Sequence, residues 1–334
     1  MAIIFADEAS ILRAVEALKK GACIGLPTET VYGLAADGLH AEAVAKIFEI
    51  KGRPTFDPLI LHVPIGYDVE KIGEPNEVFH RLKKSFWPGP LTLILPKKNI
   101  VPDLATSGLP TVAVRCPNHP IAQEVLKKFG SPLAAPSANR FGRITPTSAQ
   151  AVYEELGDAV EIILDAGASP IGLESTIVDC TPASPLILRQ GAATIEELRQ
   201  VCPEIRLATK LQKGQAPGTL ENHYAPRTPL YLCATPLHTC KHLPEEYAYL
   251  FWQKTSMPAP KNYRRLSPTG SLREAAVNLF QHLRELDALS CKKIIVDPLP
   301  LEGLGAAIAD RLKRASTGEW KCERENSVFR VFRG

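Results

Sequence analysis

Residues 25–54 read GLPTETVYGLAADGLHAEAVAKIFEIKGRP, and this stretch begins at the end of a short apolar strand. Pro27 lacks a backbone N–H group, so it ends that strand. Thr28, Glu29 and Thr30 then place three hydrogen-bonding side chains in one turn. Turns that rigid elements hold in place are common positions for functional side chains. We therefore predict a site at this turn.

The second half of the stretch predicts a helix that begins at Ala41. Its apolar residues recur at helical spacing, and its charged residues lie on the opposite face. Gly52 suits the left-handed conformation that ends a helix, and two cations, Lys51 and Arg53, flank it. The predicted unit thus presents a polar turn at one end and two positive charges at the other.

The composition is that of a globular protein with about two domains. The chain has 334 residues, of which 45% are hydrophobic and 22% are charged. The net charge of +3 is too small to require a nucleic-acid partner and is compatible with an anionic substrate. No apolar run approaches the ~20 residues of a membrane span, so we expect no membrane association.

The eight cysteines contain no Cys-x-x-Cys pair, and several lie in apolar runs. We interpret them as buried, reduced thiols. Acidic residues at positions 7 and 8 argue against a signal peptide. Together these features favour a cytoplasmic protein.

The order of the predicted elements divides the chain into three parts. Residues 1–202 alternate unevenly between strands and helices. This argues against a regular barrel and predicts an α/β fold with a twisted, open, mixed sheet surrounded by helices. One of these helices is predicted to start at Thr145–Ser148, with proline in its first turn. Residues 203–229 lack periodicity, and we interpret them as an interdomain linker long enough to have a function. Residues 230–334 predict a smaller, Rossmann-like α/β domain with parallel strands joined by helices.

No known phosphate-binding motif is present. Gly-x-x-x-x-Gly-Lys-Ser/Thr does not occur, and residues 303–308 lack the third glycine of a dinucleotide fingerprint. Phosphate binding would therefore use scattered side chains, and Lys51, Arg53, Ser137 and Asn139 would suit a polyphosphate. From spacing alone we favour a plainer interpretation, in which Lys51 complements a helix end while Ser137 and Asn139 form a turn.

Three polar residues interrupt or end apolar strands, namely His62, Arg115 and Arg189. A buried arginine requires a partner anion. A ligand carboxylate would serve, and so would the acidic residues Glu29, Glu174 and Asp179.

Two histidine-containing segments follow in the second half of the chain. His223 and Tyr224 lie in the linker, where they would form an aromatic latch between domains. The spacing His238-x-Cys240-x-His242 is suitable for a metal, but no second cluster matches it, so we expect no metal site.

Seven motifs in the first 200 residues, taken together, resemble the YrdC-like family of L-threonylcarbamoyladenylate synthases. Several long motifs in the right order are far more specific than any one of them. They are Pro27–Gly33, Lys51–Pro54, Phe86–Thr92, Val112–Arg115, Ala135–Asn139, Glu174–Asp179 and Leu188–Gly191. Three later segments resemble the linker and C-terminal domain of the two-domain form: Pro217–Pro226, Ser271–Ala276 and Gly303–Arg311. The departures are small, with Gln190 where proline is common and Ile177 where valine is common.

The resemblance implies a nucleotidyltransferase that makes L-threonylcarbamoyl-AMP and pyrophosphate from L-threonine, bicarbonate and ATP, normally with Mg²⁺. The threonine amine takes up carbon dioxide or bicarbonate, and the carbamate oxygen then attacks the α-phosphate of ATP. A separate tRNA threonylcarbamoyl transferase complex would consume the product to modify the adenosine beside the anticodon of tRNA.

The resemblance also implies roles for individual residues. The phosphates of ATP would be held by Lys51, Arg53, Ser137 and Asn139, of which Lys51 and Arg53 would be the catalytic pair. The threonine and carbamate end would be lined by Thr30, His62, Arg115, Ser175 and Thr176. The nucleotide would be contacted by Arg189, His223 and Tyr224. The last two would fold back from the linker as a lid that excludes water from a hydrolysable anhydride.

Two other classes of protein are compatible with parts of the sequence. In the first, Lys51 and Arg53 belong to a basic surface for double-stranded RNA, and RNA binding would depend strongly on salt. The small net charge argues against this class. The second is a carbamoyl transferase of the kind found in hydrogenase maturation, which would carry paired Cys-x-x-Cys motifs that this chain lacks.

Overall fold

The computed structural model describes residues 3–209, 214 and 223–322. The strands of its larger sheet are β1 Ile3–Phe5, β2 Ile24–Leu26, β3 Gly33–Asp37, β4 Ile60–His62, β5 Leu91–Pro96, β6 Thr111–Arg115, β7 Leu133–Ala134, β8 Ile162–Asp165, β9 Thr176–Asp179, β10 Leu186–Arg189 and β11 Arg206–Leu207. The helices around that sheet are α1 Glu8–Lys19, α2 Ala41–Lys51, α3 Glu77–Phe86, α4 Asp103–Thr106, α5 Pro120–Phe129, α6 Ala149–Leu156 and α7 Ile195–Val201.

The second half of the chain adds β12 Leu230–Cys233, β13 Ala248–Phe251, β14 Tyr263–Arg265, β15 Ile294–Val296 and β16 Gly318–Trp320. Its helices are α8 Leu272–Asp287 and α9 Leu304–Ala315. Short 3₁₀ turns lie at Val69–Lys71, Gly157–Ala159 and Leu237–Thr239.

Local signals account for the helix ends. Helix α2 begins at Ala41 as predicted, and Gly52 ends it with φ 59°. A glycine adopts this left-handed conformation without the steric cost that a side chain would add. The predicted helix start at Thr145–Ser148 is confirmed only at its last residue: Ser148 is the N-cap of α6, and its hydroxyl accepts a hydrogen bond from the backbone N–H of Ala151. Pro146 therefore lies before the helix, not in its first turn.

The larger sheet is mixed and open, with the strand order β1-β8-β2-β3-β7-β4-β6-β5-β9-β10-β11. Strands β4 and β6 are parallel, and β5 and β9 run antiparallel to β6. Strand β10 reverses direction again beside β9. The predicted fold class, a mixed sheet surrounded by helices, is confirmed. Strand β11 extends this sheet beyond residue 202, into the segment that the sequence assigns to the linker.

The smaller sheet has the order β14-β13-β15-β12-β16, and its neighbouring strands are parallel. Helices α8 and α9 bury their apolar faces against it, as the alternation of strands and helices predicts. The Rossmann-like second half is therefore confirmed as a parallel α/β unit.

The two halves share an apolar cluster. Ile144 and Leu173 come from the first half and are buried in the same cluster as Leu279 and Phe280 of α8. Gly172 lies so close to α8 that a Cβ atom on it would be 2.4 Å from the carbonyl oxygen of Ala276. The second half is thus packed against the loop that precedes β9.

Two charged pairs lie beside this cluster. Arg284 of α8 contacts Glu155 at 3.0 Å, and Arg143 contacts Asp287 at 3.5 Å. Both pairs are partly buried, and they join α8 to residues of the first half.

The expectation that the cysteines are reduced is wrong for one pair, because Cys240 and Cys322 form a disulfide. They are 82 positions apart, and only the folded second half brings them together. The described residues contain no helix long and apolar enough to cross a membrane.

Candidate active site

Strand direction brings four of the predicted site residues to one edge of the larger sheet. His62 ends β4 and Arg115 ends β6, and these parallel strands pair His62 with Arg115. Ser175 directly precedes β9, and Arg189 ends β10. Because β9 runs opposite to both β6 and β10, its start lies beside their ends. The four side chains line one pocket.

The opposite wall of the pocket is built by two loops. The turn between β2 and β3 supplies Thr28 and Thr30, and the segment after β7 supplies Ser137. Gly33 and Ser137 form an antiparallel bridge that joins the two loops. The remaining lining residues include Val31, Arg53, Ile60, Ala135, Pro136, Glu174, His223 and Tyr224.

Arg115 is the centre of a buried polar network at one end of the pocket. Its Nη2 lies 2.7 Å from Glu29 Oε1, and its Nη1 donates to the Thr30 hydroxyl at 2.8 Å. Its Nε donates to the carbonyl oxygen of Gly89 at 3.2 Å. Of the partner anions left open by the sequence, Glu29 is therefore the one that contacts Arg115. The ion pair orients the guanidinium, and it lowers the net positive charge at this end of the pocket.

His62 lies beside this network and is neutral at physiological pH. Burial, together with the nearby charge of Arg115, lowers its pKa to about 3. Its Nδ1 lies 3.3 Å from the carbonyl oxygen of Ile60. A neutral imidazole can hydrogen-bond to a substrate but does not add a positive charge to the pocket.

Lys51 supports the loop that carries Ser137 and does not itself line the pocket. Its Nζ donates to the carbonyl oxygens of Ser137 and Asn139, both at 2.5 Å. Burial, and then the charge of Arg53, lowers the pKa of Lys51 well below its usual value. Negative charge on a ligand in the pocket would act on this lysine through the loop and would raise its pKa.

Asn139 also supports the loop. Its Nδ2 donates to the carbonyl oxygens of Arg140 and Arg143, at 2.8 and 3.0 Å. Its buried Oδ1 has no hydrogen-bond partner among the described residues. The structure therefore brings Lys51 and Asn139 to the back of the loop, and Ser137 to its pocket side.

Arg53 lines the pocket but is anchored within its own loop. It pairs with Asp57 at 2.8 Å and donates to the carbonyl oxygens of Asp57 and Pro58 at 3.0 and 2.9 Å. Arg53 is 7% exposed, and Asp57 is fully buried. This anchoring holds a guanidinium at the pocket with little conformational freedom left to lose on binding.

Ser175 and Arg189 continue the same sheet edge beyond Arg115, on β9 and β10. The Ser175 hydroxyl lies 2.7 Å from that of Thr92, and Arg189 donates to the Ser175 carbonyl oxygen at 2.9 Å. Thr176 does not line the pocket, because its hydroxyl donates to the carbonyl oxygen of Ala193 at 2.5 Å.

His223 and Tyr224 reach the pocket from the linker and are 5% and 1% exposed. The His223 Nδ1 and the Tyr224 hydroxyl are both buried without a hydrogen-bond partner among the described residues. Burial, and then the charges of Arg53 and Lys51, lowers the pKa of His223 well below its usual value. Burial raises the pKa of Tyr224 to about 12. Unpaired buried polar atoms are rare in native proteins, so these two groups are available to bond a ligand or water in the pocket.

Sequence reasoning missed one residue that contacts the pocket wall, Arg311 of α9. Arg311 is 1% exposed, and its Nε lies 3.1 Å from Glu174 Oε2. The sequence does contain a signal, because residue 311 falls on the apolar face of α9, beside Ile308 and Leu312. A buried arginine requires a partner, and the partner lies in the other half of the chain.

One group of residues away from this pocket has donor atoms suited to a metal. The sulfur atoms of Cys233, Cys240 and Cys322 all lie within 4.8 Å of one another. Cys240 therefore joins two other cysteines, not His238 and His242 as the sequence spacing suggested. In this structure, two of the three sulfur atoms are joined as the disulfide.

The chain matches two sequence profiles in succession. Residues 16–191 match that of the Sua5/YciO/YrdC family, described as telomere recombination. Residues 193–317 match the profile described as threonylcarbamoyl-AMP synthase, C-terminal domain. A threonylcarbamoyl-AMP synthase of Pyrococcus abyssi is 38% identical over 93% of this chain and 95% of its own length. The chain belongs to the threonylcarbamoyl-AMP synthase family.

Other relatives of the family agree over the same length. A threonylcarbamoyl-AMP synthase of Bacillus subtilis is 36% identical over 93% of this chain and 94% of its own length. The crystal structure of P. abyssi Sua5 complexed with L-threonine covers 96% of this chain and 98% of its own chain, with 36% identity and a TM-score of 0.88. The family resemblance that the sequence motifs predict is therefore confirmed for both halves.

Proposed function

We propose that the pocket carries out the family's reaction, the synthesis of L-threonylcarbamoyl-AMP from L-threonine, bicarbonate and ATP. The chain is accordingly a nucleotidyltransferase that serves tRNA modification. The observation that carries the proposal is the convergence of three buried guanidinium groups on one pocket. Arg53, Arg115 and Arg189 are 7%, 3% and 7% exposed and line the same pocket. Arg53 and Arg115 are paired with Asp57 and Glu29, yet three oriented guanidinium groups still favour substrates with several anionic oxygens, as ATP and a carbamate have.

The bond changes in the proposed reaction balance without a redox partner. Bicarbonate takes up a proton and gives carbon dioxide and water. The free amine nitrogen of threonine then forms a bond to the carbon of carbon dioxide and releases a proton to solvent, which gives an anionic carbamate. A carbamate oxygen then attacks the α-phosphorus of ATP, and the bond from that phosphorus to the oxygen that bridges to the β-phosphate breaks. Pyrophosphate leaves. Because the attacking oxygen is already anionic, this second step requires no general base.

We assign the phosphate end of ATP to Arg53 and the loop that contains Ser137. Arg53 supplies charge, and Lys51 and Asn139 set the position of that loop from behind. Developing negative charge on pyrophosphate is stabilised most by donors that are already oriented before the reaction. The bonds of Arg53 to Asp57 and Pro58 supply that orientation.

We assign the threonine and carbamate end to Thr30, His62, Arg115 and Ser175. Arg115 would receive the amino-acid carboxylate, while Glu29 holds the guanidinium in a fixed orientation. Thr176 would act only by fixing the start of β9 through its bonds to Ala193.

We assign the nucleotide side to Arg189 and to the pair His223 and Tyr224. The two linker residues cover the pocket and are held there by the second half of the chain, since the Tyr224 ring stacks on Phe280 at 5.7 Å. A cover of this kind excludes water from the mixed anhydride product, which water would hydrolyse.

Mg²⁺ is proposed to enter with ATP. The carboxylates at the pocket are already committed to arginines: Glu29 to Arg115, and Glu174 to Arg311. The donor set of the described residues therefore fits an ion that the ATP phosphates and water coordinate, with no dedicated carboxylate ligand. When bound, the ion would neutralise charge on the leaving pyrophosphate.

The alternative of an RNA-binding surface is disfavoured by burial. It requires Lys51 and Arg53 to face solvent, yet they are 2% and 7% exposed.

From the reaction alone, we propose contact with tRNA and delivery of the product to a tRNA threonylcarbamoyl transferase complex. The same consideration supports a cytoplasmic location, where ATP and tRNA are available.

The test is pyrophosphate release from ATP, measured with and without L-threonine and with and without bicarbonate. We expect release to require both, and we expect a product that carries threonine, carbon dioxide and AMP by mass spectrometry. D-Threonine is the matched control, because it has the same charges with the opposite configuration. A rate that is unchanged when threonine is omitted would refute the proposed function.

A further inference from the structure

The second half of the chain contacts the residues that line the pocket through the guanidinium of Arg311 in α9. It lies at a junction where three pieces of the pocket meet. Nε is 3.1 Å from Glu174 Oε2, and Nη1 donates to the carbonyl oxygen of Gln190 at 2.5 Å. The guanidinium carbon lies 5.6 Å from the ring centroid of Tyr224.

Each of these partners is next to, or is itself, a residue that lines the pocket. Glu174 directly precedes Ser175 at the start of β9. Gln190 directly follows Arg189 at the end of β10. Tyr224 belongs to the cover. One guanidinium therefore holds the two strand ends and the cover at fixed distances from one another.

The charge balance around Arg311 makes this junction sensitive to substitution. Glu174 is 6% exposed, and its other oxygen accepts a hydrogen bond from the Thr145 hydroxyl at 2.8 Å. Removal of Arg311 would leave that carboxylate buried without its paired guanidinium. A carboxylate in this position either moves toward solvent or takes up a proton, and both change the segment that carries Ser175.

We infer that Arg311 is a positioning residue for synthesis of the adenylate and that it completes the pocket from the second half of the chain. It acts through Glu174, Gln190 and Tyr224 and is not required to touch the reacting atoms. This gives the second half a role in catalysis: its docking through Leu173 and α8 brings α9 against the pocket wall. The inference rests on the proposed function.

The experiment compares full-length wild type with Arg311→Gln, Arg311→Lys and Lys313→Gln. Lys313 is exposed on the same helix, so its substitution removes one positive charge from α9 without touching the pocket. ATP affinity is measured by calorimetry, and kcat and KM for L-threonine and ATP by pyrophosphate release. All values are corrected for the folded fraction, taken from thermal unfolding.

We expect Arg311→Gln to lower kcat/KM for both substrates and to weaken ATP binding by about tenfold or more, the scale of effect when pocket groups lose their positions. Arg311→Lys should recover part of the loss, because an ammonium can pair with Glu174 but cannot also reach the carbonyl oxygen of Gln190. Lys313→Gln should stay within about twofold of wild type, as a surface substitution does.

Three results would overturn the inference. The first is a folded Arg311→Gln protein with wild-type ATP affinity and kcat/KM. The second is a loss that disappears after correction for the folded fraction. The third applies if Arg311→Gln does not fold. The double variant Arg311→Gln, Glu174→Gln then removes the unpaired buried carboxylate as well, and wild-type activity in that double variant would overturn the inference. If wild type itself shows no threonine-dependent release, the proposed reaction fails, while ATP affinity still tests the role of Arg311.

Discussion

Replacing His62 by glutamine should make the free energy of unfolding depend less on pH in the acidic range. In the folded chain the pKa of His62 is about 3, because burial and then the charge of Arg115 disfavour the imidazolium. In the unfolded chain the same group has a pKa of about 6.5. Below that value the unfolded state takes up a proton that the folded state does not. His62 therefore contributes stability that is fully present above about pH 6.5 and is lost as the pH falls toward 3.

The size of the effect follows from the difference of one bound proton. Between the two pKa values, the free energy of unfolding falls by about 1.4 kcal/mol for each unit of pH. From about pH 6 to about pH 4.5, His62 alone should therefore cost the folded state about 2 kcal/mol. Other histidines, such as His223, also have lowered pKa values, but they are present in both proteins and cancel in the comparison.

The assay is urea unfolding at constant ionic strength from about pH 7 to about pH 4.5, for wild type, His62→Gln and His40→Gln. His40 is exposed at the start of α2, so its substitution serves as the matched control. We expect the gap between wild type and His62→Gln to narrow by about 1.4 kcal/mol per pH unit on acidification, and the His40→Gln curve to run parallel to wild type. A gap that stays constant with pH would refute the argument that His62 is buried neutral.

Three further predictions concern the two ends of the pocket and its wall. On ATP binding, wild type should take up more protons than Lys51→Met, because phosphate charge raises the pKa of Lys51 that burial has lowered. Calorimetry in two buffers of different ionisation enthalpy measures the proton uptake, and equal uptake by the two proteins would contradict the prediction. Arg115→Gln should raise the KM for L-threonine about tenfold or more and change the KM for ATP far less, because it removes a charge-assisted contact to the threonine carboxylate. Equal changes of the two KM values in steady-state assays would exclude the assignment of Arg115 to the threonine end. Gly191→Ala should lower stability by about 1–3 kcal/mol in urea unfolding, because its Cβ would lie 2.4 Å from the carbonyl oxygen of Glu174, whereas Gly318→Ala, with no neighbour closer than 4.0 Å, should be near neutral.

The outline of the fold could be predicted because its signals are local. The bounds of α2 and the end of α5 at Gly130 follow from apolar spacing and from a glycine at the left-handed position. The short strand β3 gave no such signal, because Gly33–Asp37 is mostly small residues without alternation. It is a strand only because β2 and β7 flank it in the sheet.

The sequence also predicted many of the residues that line the candidate pocket, but it did not predict the contacts that they make. The motifs named Arg53, Arg115 and Ser137 for one site, and the structure brings them to one pocket. The motifs could not tell that Lys51 would bind carbonyl oxygens behind the loop, nor that the hydroxyl of Thr176 would face Ala193. Side-chain direction depends on the turn of the backbone at each loop, which the identity of one residue does not determine.

The sequence by itself determined the family, the mixed α/β class and the types of side chain available for an anionic substrate. These depend on apolar periodicity and on motifs of a few residues, where neighbours in the chain are neighbours in space. The tertiary structure alone decided which partners the buried arginines contact. Arg115 meets Thr30 across 85 positions, and Arg311 meets Glu174 across 137. Such pairs depend on strand register and on the docking of the second half, because a buried charge selects whichever partner the completed fold places within reach.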